Sequence, residues 1–163
     1  MWIITEIEAK ESAFVESFIS ENWGSSISVS RGKTHDTTKL PGFICKQGNR
    51  VIGLVTYEIV QDDCEIVTLD SKVNNKGLGT LLIKKVIEKA RINGCKRVWL
   101  VTTNDNLKAI RYYQRNGFEW VAFHRDETGY STHWQMYVSP FFKGGLRGIG
   151  YYQSLAFYYP INY

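Results

Sequence analysis

A long amphipathic helix entered directly from a glycine-containing turn constrains this chain more than any other feature. From Leu78 onward, Leu82, Val86 and Ala90 recur every four residues. Ile83 and Ile87 widen that apolar stripe, Lys84, Glu88 and Arg91 lie opposite, and Gly94 offers a stop. The preceding segment, Asn74-Asn75-Lys76-Gly77-Leu78-Gly79-Thr80, follows a β-rich run from Cys64 to Asp70. In a strand-turn-helix of this kind the unpaired amides of the first helical turn and the helix dipole converge on one point, which attracts phosphate. Gly77 and Gly79 remove the β-carbons that would keep a ligand from the backbone, Lys76 adds charge and Thr80 a hydroxyl, which favours a diphosphate. The same glycines also fit a tight turn that merely lets the helix pack close to the sheet. Neither the Gly-Lys-Ser/Thr ending of a P-loop nor the third glycine of a dinucleotide fingerprint is present.

Around this unit the pattern predicts one sheet with helices. Trp2 to Ile7 reads as a first strand. Ala9, Ala13, Phe14, Phe18 and Ile19 then recur at helical spacing up to Gly24. Ser25 to Pro41 is polar and without helical period, so a long, partly extended loop is expected. Gly42 to Lys46 and Arg50 to Val60 flank Gln47-Gly48-Asn49 as a hairpin, and Asp62-Asp63 turns into Cys64 to Asp70. Arg97 to Thr103 reads as a buried strand, Asn106 to Asn116 as a short helix stopped at Gly117, and Phe118 to His124 with Thr132 to Val138 as an antiparallel pair. The sum is a mixed α/β sandwich on one sheet. With 163 residues a single domain is expected. Its core spans residues 1–138. Residues 139–163, with a glycine-rich basic stretch and an aromatic end, form an atypical extension that reads as an edge strand, a partner contact or a tail.

The net charge of +4 suits an anionic ligand, yet the basic residues are scattered, so nucleic acid is not expected as a partner. No apolar run approaches the roughly 20 residues of a membrane-spanning helix, and no charged leader precedes an apolar core, so neither membrane insertion nor export is expected. Cys45, Cys64 and Cys95 have no metal-ligand spacing and cannot all pair. That usage predicts a reducing, cytoplasmic home, small buried thiols rather than an acyl-cysteine nucleophile, and no metal.

A second motif lies downstream: Asn106-Leu107-Lys108-Ala109 opens a helix that closes with Tyr112-Tyr113-Gln114-Arg115-Asn116-Gly117-Phe118. Taken with Asn74 to Gly79, it resembles the GNAT superfamily of N-acetyltransferases (GCN5-related), with its Gln/Arg-x-x-Gly-x-Gly/Ala pyrophosphate turn and later Asn-x-x-Ala, Tyr and Gly-Phe. The resemblance covers about Ile3 to Val138. Asn74 departs from the family's Gln or Arg, which removes one cationic or longer amide contact and leaves the backbone cradle.

The resemblance implies a single-domain α/β fold of the α+β type. It has a mixed, mostly antiparallel sheet flanked by helices, with a V-shaped splay between the fourth and fifth strands, here Cys64 to Asp70 and Arg97 to Thr103. It implies acetyl-CoA as cosubstrate, with the main chain of Leu69 and Ser71 on the pantetheine arm. The pyrophosphate would meet Asn74, Asn75, Lys76, Gly77, Leu78, Gly79 and Thr80, with Asn106 and Tyr113 near the reactive end. It implies transfer of the acetyl group to a primary amine by direct attack, and Tyr113 as the acid. By helical spacing Tyr113 shares the inward stripe of Ala109 and Ile110, while Tyr112 points to the rim with Arg111.

For the base, strand alternation puts Glu65 on one face with Val67 and Leu69 at the cleft, with His35 and Asp36 as loop alternatives and ordered water as another. The acceptor, a small-molecule or peptide amine, has no signature. Trp23, Tyr57, Phe123, His133 and Trp134 are candidate pocket walls. A non-catalytic acyl-CoA-binding or sensing domain is the alternative, and a homodimer through the aromatic end is a further reading.

Overall fold

A computed structural model describes residues 1–23, 27–30, 33–73, 76–103, 106–124 and 154–161. Chain order gives β1 (Ile3–Glu6), α1 (Ser12–Trp23), β2 (Ile27–Ser30), β3 (Lys33–Asp36), β4 (Gly42–Gln47), β5 (Arg50–Val60) and β6 (Asp63–Ser71). Then follow α2 (Leu78–Ile92), β7 (Arg97–Thr103), α3 (Leu107–Arg115), β8 (Glu119–His124) and β9 (Ser154–Pro160). Seven strands form one sheet in the order β1-β4-β5-β6-β7-β9-β8, and β2 and β3 form a separate hairpin. Every neighbouring pair of the large sheet is antiparallel except β6 with β7. No helix of the described residues is long and apolar enough to cross a membrane.

Two helices cover opposite faces of the sheet. On one face α2 buries Leu78, Leu82, Ile83, Val86 and Ala90 against Phe43, Cys45, Val55, Tyr57, Cys64 and Ile66. On the other, Val15, Phe18 and Ile19 of α1 pack on Ile44 and Leu54. A β-carbon on Gly53 would come within 2.8 Å of the Leu78 side chain, so Gly53 on β5 is what admits α2 to close range. That role therefore does not fall to Gly77 or Gly79. Helix α2 ends on Gly94 at φ +72°. The Gly94 amide donates to the Arg91 carbonyl and the Cys95 amide to Ala90, the paired bonds of a glycine-terminated helix.

Two expectations change here. Ser25 to Pro41 is not simply a loop: it holds the β2–β3 hairpin and a 3₁₀ turn at Thr37–Lys39, whose short polar strands gave no apolar alternation to read. Ser154–Pro160 is not an edge strand. It pairs along its length with β7 and also with β8, so the sheet of the domain includes a strand from beyond residue 138. Thr132 to Val138 lies outside the described residues.

A β-bulge in β6 matters most for the site. Thr56 pairs with Thr68 and Tyr57 with Ile66, leaving Val67 as an extra residue. Before the bulge, Cys64 and Ile66 face α2 and Glu65 faces the α1 side. Beyond it the alternation is inverted, so that Leu69 joins the α2 side, where it packs on the main core. Glu65 and Leu69 therefore lie on opposite faces. Simple alternation placed them together because a bulge leaves no mark in the residue pattern.

Candidate active site

The gap opens where the sheet stops pairing. The β6–β7 ladder consists of Asp63 with Arg97, Cys64 with Val98 and Glu65 with Trp99, although β6 continues to Ser71 and β7 to Thr103. Beyond Glu65 the backbone edge of β6 has no β7 partner. The Lys72 amide donates to the Ile52 carbonyl of β5 at 2.8 Å. Alternation then turns the amides of Leu69 and Ser71 away from β5, toward the gap. The Ser71 amide donates to Asp70 Oδ1 at 2.7 Å and its hydroxyl to the Val73 carbonyl at 2.9 Å, so Ser71 is engaged in shaping the strand end.

At the turn, Lys76 and Gly77 are exposed, while Asn74 and Asn75 lie outside the described residues. Gly77 takes the cap position of α2 with φ +78°, and the Leu81 amide donates to its carbonyl at 3.1 Å. The amides of Leu78, Gly79 and Thr80 precede that first intrahelical bond and are available beyond the helix end. A β-carbon on Gly77 would meet nothing within 4 Å, so the left-handed backbone, and not crowding, demands glycine there.

Gly79 is different: a β-carbon would sit 2.6 Å from the Tyr112 hydroxyl, which itself lies 3.4 Å from Thr80 Oγ1. Tyr112 thus does not point to the rim. On a helical wheel Tyr112 and Tyr113 flank Ala109 by about 60° and 40° on either side, so both turn inward. Burial raises the Tyr112 phenol above its ordinary range, partly offset by Thr80. The freedom gained at Gly79 holds a tyrosine hydroxyl at the helix N-terminus, a role that the turn sequence alone does not disclose.

Tyr113 turns the other way on α3, its ring 5.9 Å from Phe118 and 6.0 Å from Phe157. Burial pushes its phenol well above the usual tyrosine value, so the proton stays in place at neutral pH. Asn106 is the cap of α3: its Oδ1 accepts the Ala109 amide at 3.1 Å, which fixes the orientation of the side-chain amide. The residue is 8% exposed, and its Nδ2 is buried without a hydrogen-bond partner among the described residues. An orphaned buried donor costs about 1–3 kcal/mol. An amide or thioester carbonyl placed beside it would satisfy that donor.

The face of β6 that carries Glu65 holds a different chemistry. Glu65 stands directly opposite Glu58 on β5, and both carboxylates meet His35 of β3. His35 Nδ1 lies 3.5 Å from Glu58 Oε2 and His35 Nε2 lies 3.9 Å from Glu65 Oε2, with His35 and Glu65 both buried. The two base candidates are therefore one cluster, joined by Glu58, which sequence reading passed over. A signal existed: a two-residue turn after Val60 pairs 60 with 63 and hence 58 with 65. Asp36 is occupied elsewhere, accepting from the Thr38 amide and hydroxyl and pairing with Lys39 at 2.9 Å. Hydrogen bonding from Thr38, then from Lys39, lowers its pKa, as befits a turn cap and not a base.

Tyr57 is no pocket wall: it is buried on the α2 side, stacked on Phe43, with its phenol pushed up to about 12 by burial. His133 and Trp134 lie outside the described residues, as do the side chains of Trp23 and Phe123. All three cysteines are buried, and burial raises the Cys64 thiol to about 12, which suits core residues and not nucleophiles.

Comparison with known proteins adds independent findings. Residues 8–118 match the model of the Acetyltransferase (GNAT) family. The uncharacterized protein YdhI of Bacillus subtilis is 41% identical over 107 residues, covering 64% of this chain and 66% of the relative. The chain thus spans about two thirds of that relative's length. The spermine/spermidine N(1)-acetyltransferase of the same organism is 40% identical over 53 residues, covering 32% of this chain and 35% of the relative. A GNAT family acetyltransferase from Elizabethkingia anophelis with acetyl-CoA bound superposes with a TM-score of 0.65 at 17% identity, covering 98% of each chain.

Proposed function

Because the chain belongs to the Acetyltransferase (GNAT) family, we propose that it moves an acetyl group from acetyl-CoA to a primary amine by direct attack in a ternary complex. One observation carries the reading: β6 and β7 part after Glu65 and Trp99, with the open end of α2 following β6 and the orphaned Asn106 amide following β7. The donor set fits the cosubstrate. The amides of Leu78, Gly79 and Thr80, with Lys76, suit a pyrophosphate, the Leu69 main chain suits an amide arm, and Asn106 Nδ2 suits a carbonyl. Asn74 and Asn75 belong to this proposed set from the sequence alone. When bound, acetyl-CoA supplies the activated acyl group as a thioester.

The chain's own part is positioning and proton movement. An amine attacks only after its ammonium proton has gone, and the Glu65 carboxylate is the group assigned to take it. At the other end a thiolate departs. A thiol titrates near 8.5 and the buried Tyr113 phenol far above 10, so full proton transfer from Tyr113 runs uphill. Tyr113 is therefore a hydrogen-bond donor to the departing sulfur more than a complete acid, and its removal costs toward the lower end of acid–base effects.

A screen of amines following thiol release from acetyl-CoA, run with calorimetric binding of the same compound, tests this. Binding and turnover with at least one amine support it. Binding without turnover for any amine favours an acyl-CoA sensor, and absence of binding removes both.

A further inference from the structure

We propose that His35 is a positioning residue which, as an imidazolium held between Glu58 and Glu65, keeps Glu65 ionised for the acceptor's ammonium. The inference rests on the acetyltransferase reading for its kinetic consequence, though the cluster itself does not depend on it.

Two carboxylates directly opposite each other on adjacent antiparallel strands repel, the more so with one of them buried. A protonated Glu65 has no capacity to accept a second proton from an ammonium. His35 removes that obstacle by its geometry. Its two ring nitrogens face two different carboxylates, Nδ1 toward Glu58 and Nε2 toward Glu65. At these ion-pair distances a carboxylate on each side favours the imidazolium, whose two N–H groups then face one carboxylate each. The cluster then holds one positive and two negative charges, a net of minus one, which suits an incoming ammonium.

The exposure gradient agrees. The His35 side chain is 1% exposed and that of Glu65 9%, whereas that of Glu58 is 25% exposed and reaches solvent. Other acids of the surrounding elements are committed: Asp36 to Thr38 and Lys39, Glu11 to Lys46, and Glu21 to Lys72.

When the acceptor binds, the Glu65 carboxylate takes one proton from R-NH3⁺, leaving R-NH2 with its lone pair free to form the new C–N bond. His35 contributes no atom to the product. Its cationic charge makes the anionic form of Glu65 the resting one. The β2–β3 hairpin, which carries His35, is by this reading part of the catalytic apparatus and not only a cover.

The test is the pH profile of kcat/KM in wild type, H35Q, E58Q and the H35Q/E58Q double variant, alongside nitrogen-15 spectra of the imidazole rings. In H35Q the acid limb should move upward by about one pH unit, a loss of roughly 10-fold at a pH on that limb. Removing the opposing carboxylate in the double variant should bring the limb back toward wild type, a rescue that a merely structural histidine would not show.

The spectra read the cluster without any turnover. At pH 7, His35 should give two slowly exchanging ring N–H signals, one lost in E58Q and the other in E65Q. An unmoved limb in H35Q, a double variant no better than H35Q, or a single His35 N–H signal would overturn the proposal. So would stabilisation of the wild type by Zn²⁺ that H35Q abolishes, since the three side chains then serve as metal ligands. If no amine is acetylated while both N–H signals are present, the proposed reaction fails and the charged cluster stands.

Discussion

The two sides of β6 are built by opposite means. On the α2 side the site is assembled from consecutive residues: a strand end, a left-handed glycine at Gly77, and a helix whose first amides remain open. On the α1 side it is assembled from the hairpin pair Glu58 and Glu65 and from His35, more distant in the chain, brought together by strand register and tertiary contact. Local geometry suffices for holding a phosphate, because backbone amides do it and any sequence that makes the turn supplies them. Holding and deprotonating a particular amine requires side chains, and side chains converge only through tertiary structure.

The first way to break this contrast is at Glu65. Glu65→Gln is expected to lower kcat/KM by about 10²- to 10⁴-fold with acetyl-CoA binding unchanged by calorimetry, since it removes the proposed base from the face opposite α2. Loss of cofactor binding in that variant would show that the two sides are not separable. Tyr113→Phe should slow transfer by about 10- to 100-fold, toward the lower figure, in single-turnover assays. An unchanged rate with the best acceptor would remove Tyr113 from the reaction.

On the phosphate side, Gly79→Ala places a methyl against the Tyr112 hydroxyl. It is expected to weaken acetyl-CoA binding about 10-fold, equivalent to about 1.4 kcal/mol, and Tyr112→Phe should weaken it less. Equal binding in both variants and wild type would mean that Tyr112 fills space at the turn without serving the ligand.

Two stability measurements sharpen the same comparison. Lys46 hydrogen-bonds the buried Glu11 carboxylate at the start of α1 and, as the larger influence against desolvation, lowers its pKa below 4.5. A depressed carboxylate stabilises the fold above its unfolded value and loses that contribution as pH falls through the folded one. Wild-type stability should therefore decline below about pH 4.5. Lys46→Met should cost about 1–3 kcal/mol near neutral pH and flatten that decline, as read by urea unfolding across pH. Asn106→Ala should cost about 1 kcal/mol through loss of the α3 cap, less whatever the orphaned Nδ2 had been costing. A stability gain would identify Asn106 as a residue kept for its ligand at the expense of the fold.

The difference between the two sides also explains what could be read in advance. The α2 periodicity, the Gly77 turn, the helix opened by Asn106 and the Gly117 stop are local patterns, and each appears in the structure where the residues place it. Glu65 and His35 were each read as base candidates, but their convergence and the part of Glu58 were not. The bulge at Val67 inverted the alternation used to orient Glu65, and the short strands around His35 carry no apolar period. Tyr112 was misdirected because it was grouped with Arg111, although the helical wheel already places it within about 60° of Ala109. Ser154–Pro160 enters the sheet between β7 and β8, a long-range placement that aromatic composition alone does not specify.

We propose that one strand, β6, divides cofactor from acceptor, with open amides on one side and a charged cluster on the other. Thiol release from acetyl-CoA with the best amine, measured for Glu65→Gln against wild type in the same preparation used for acetyl-CoA calorimetry, addresses it directly. Undiminished binding with turnover reduced at least about 100-fold is expected. Undiminished turnover in that variant, or binding lost together with turnover, would contradict it.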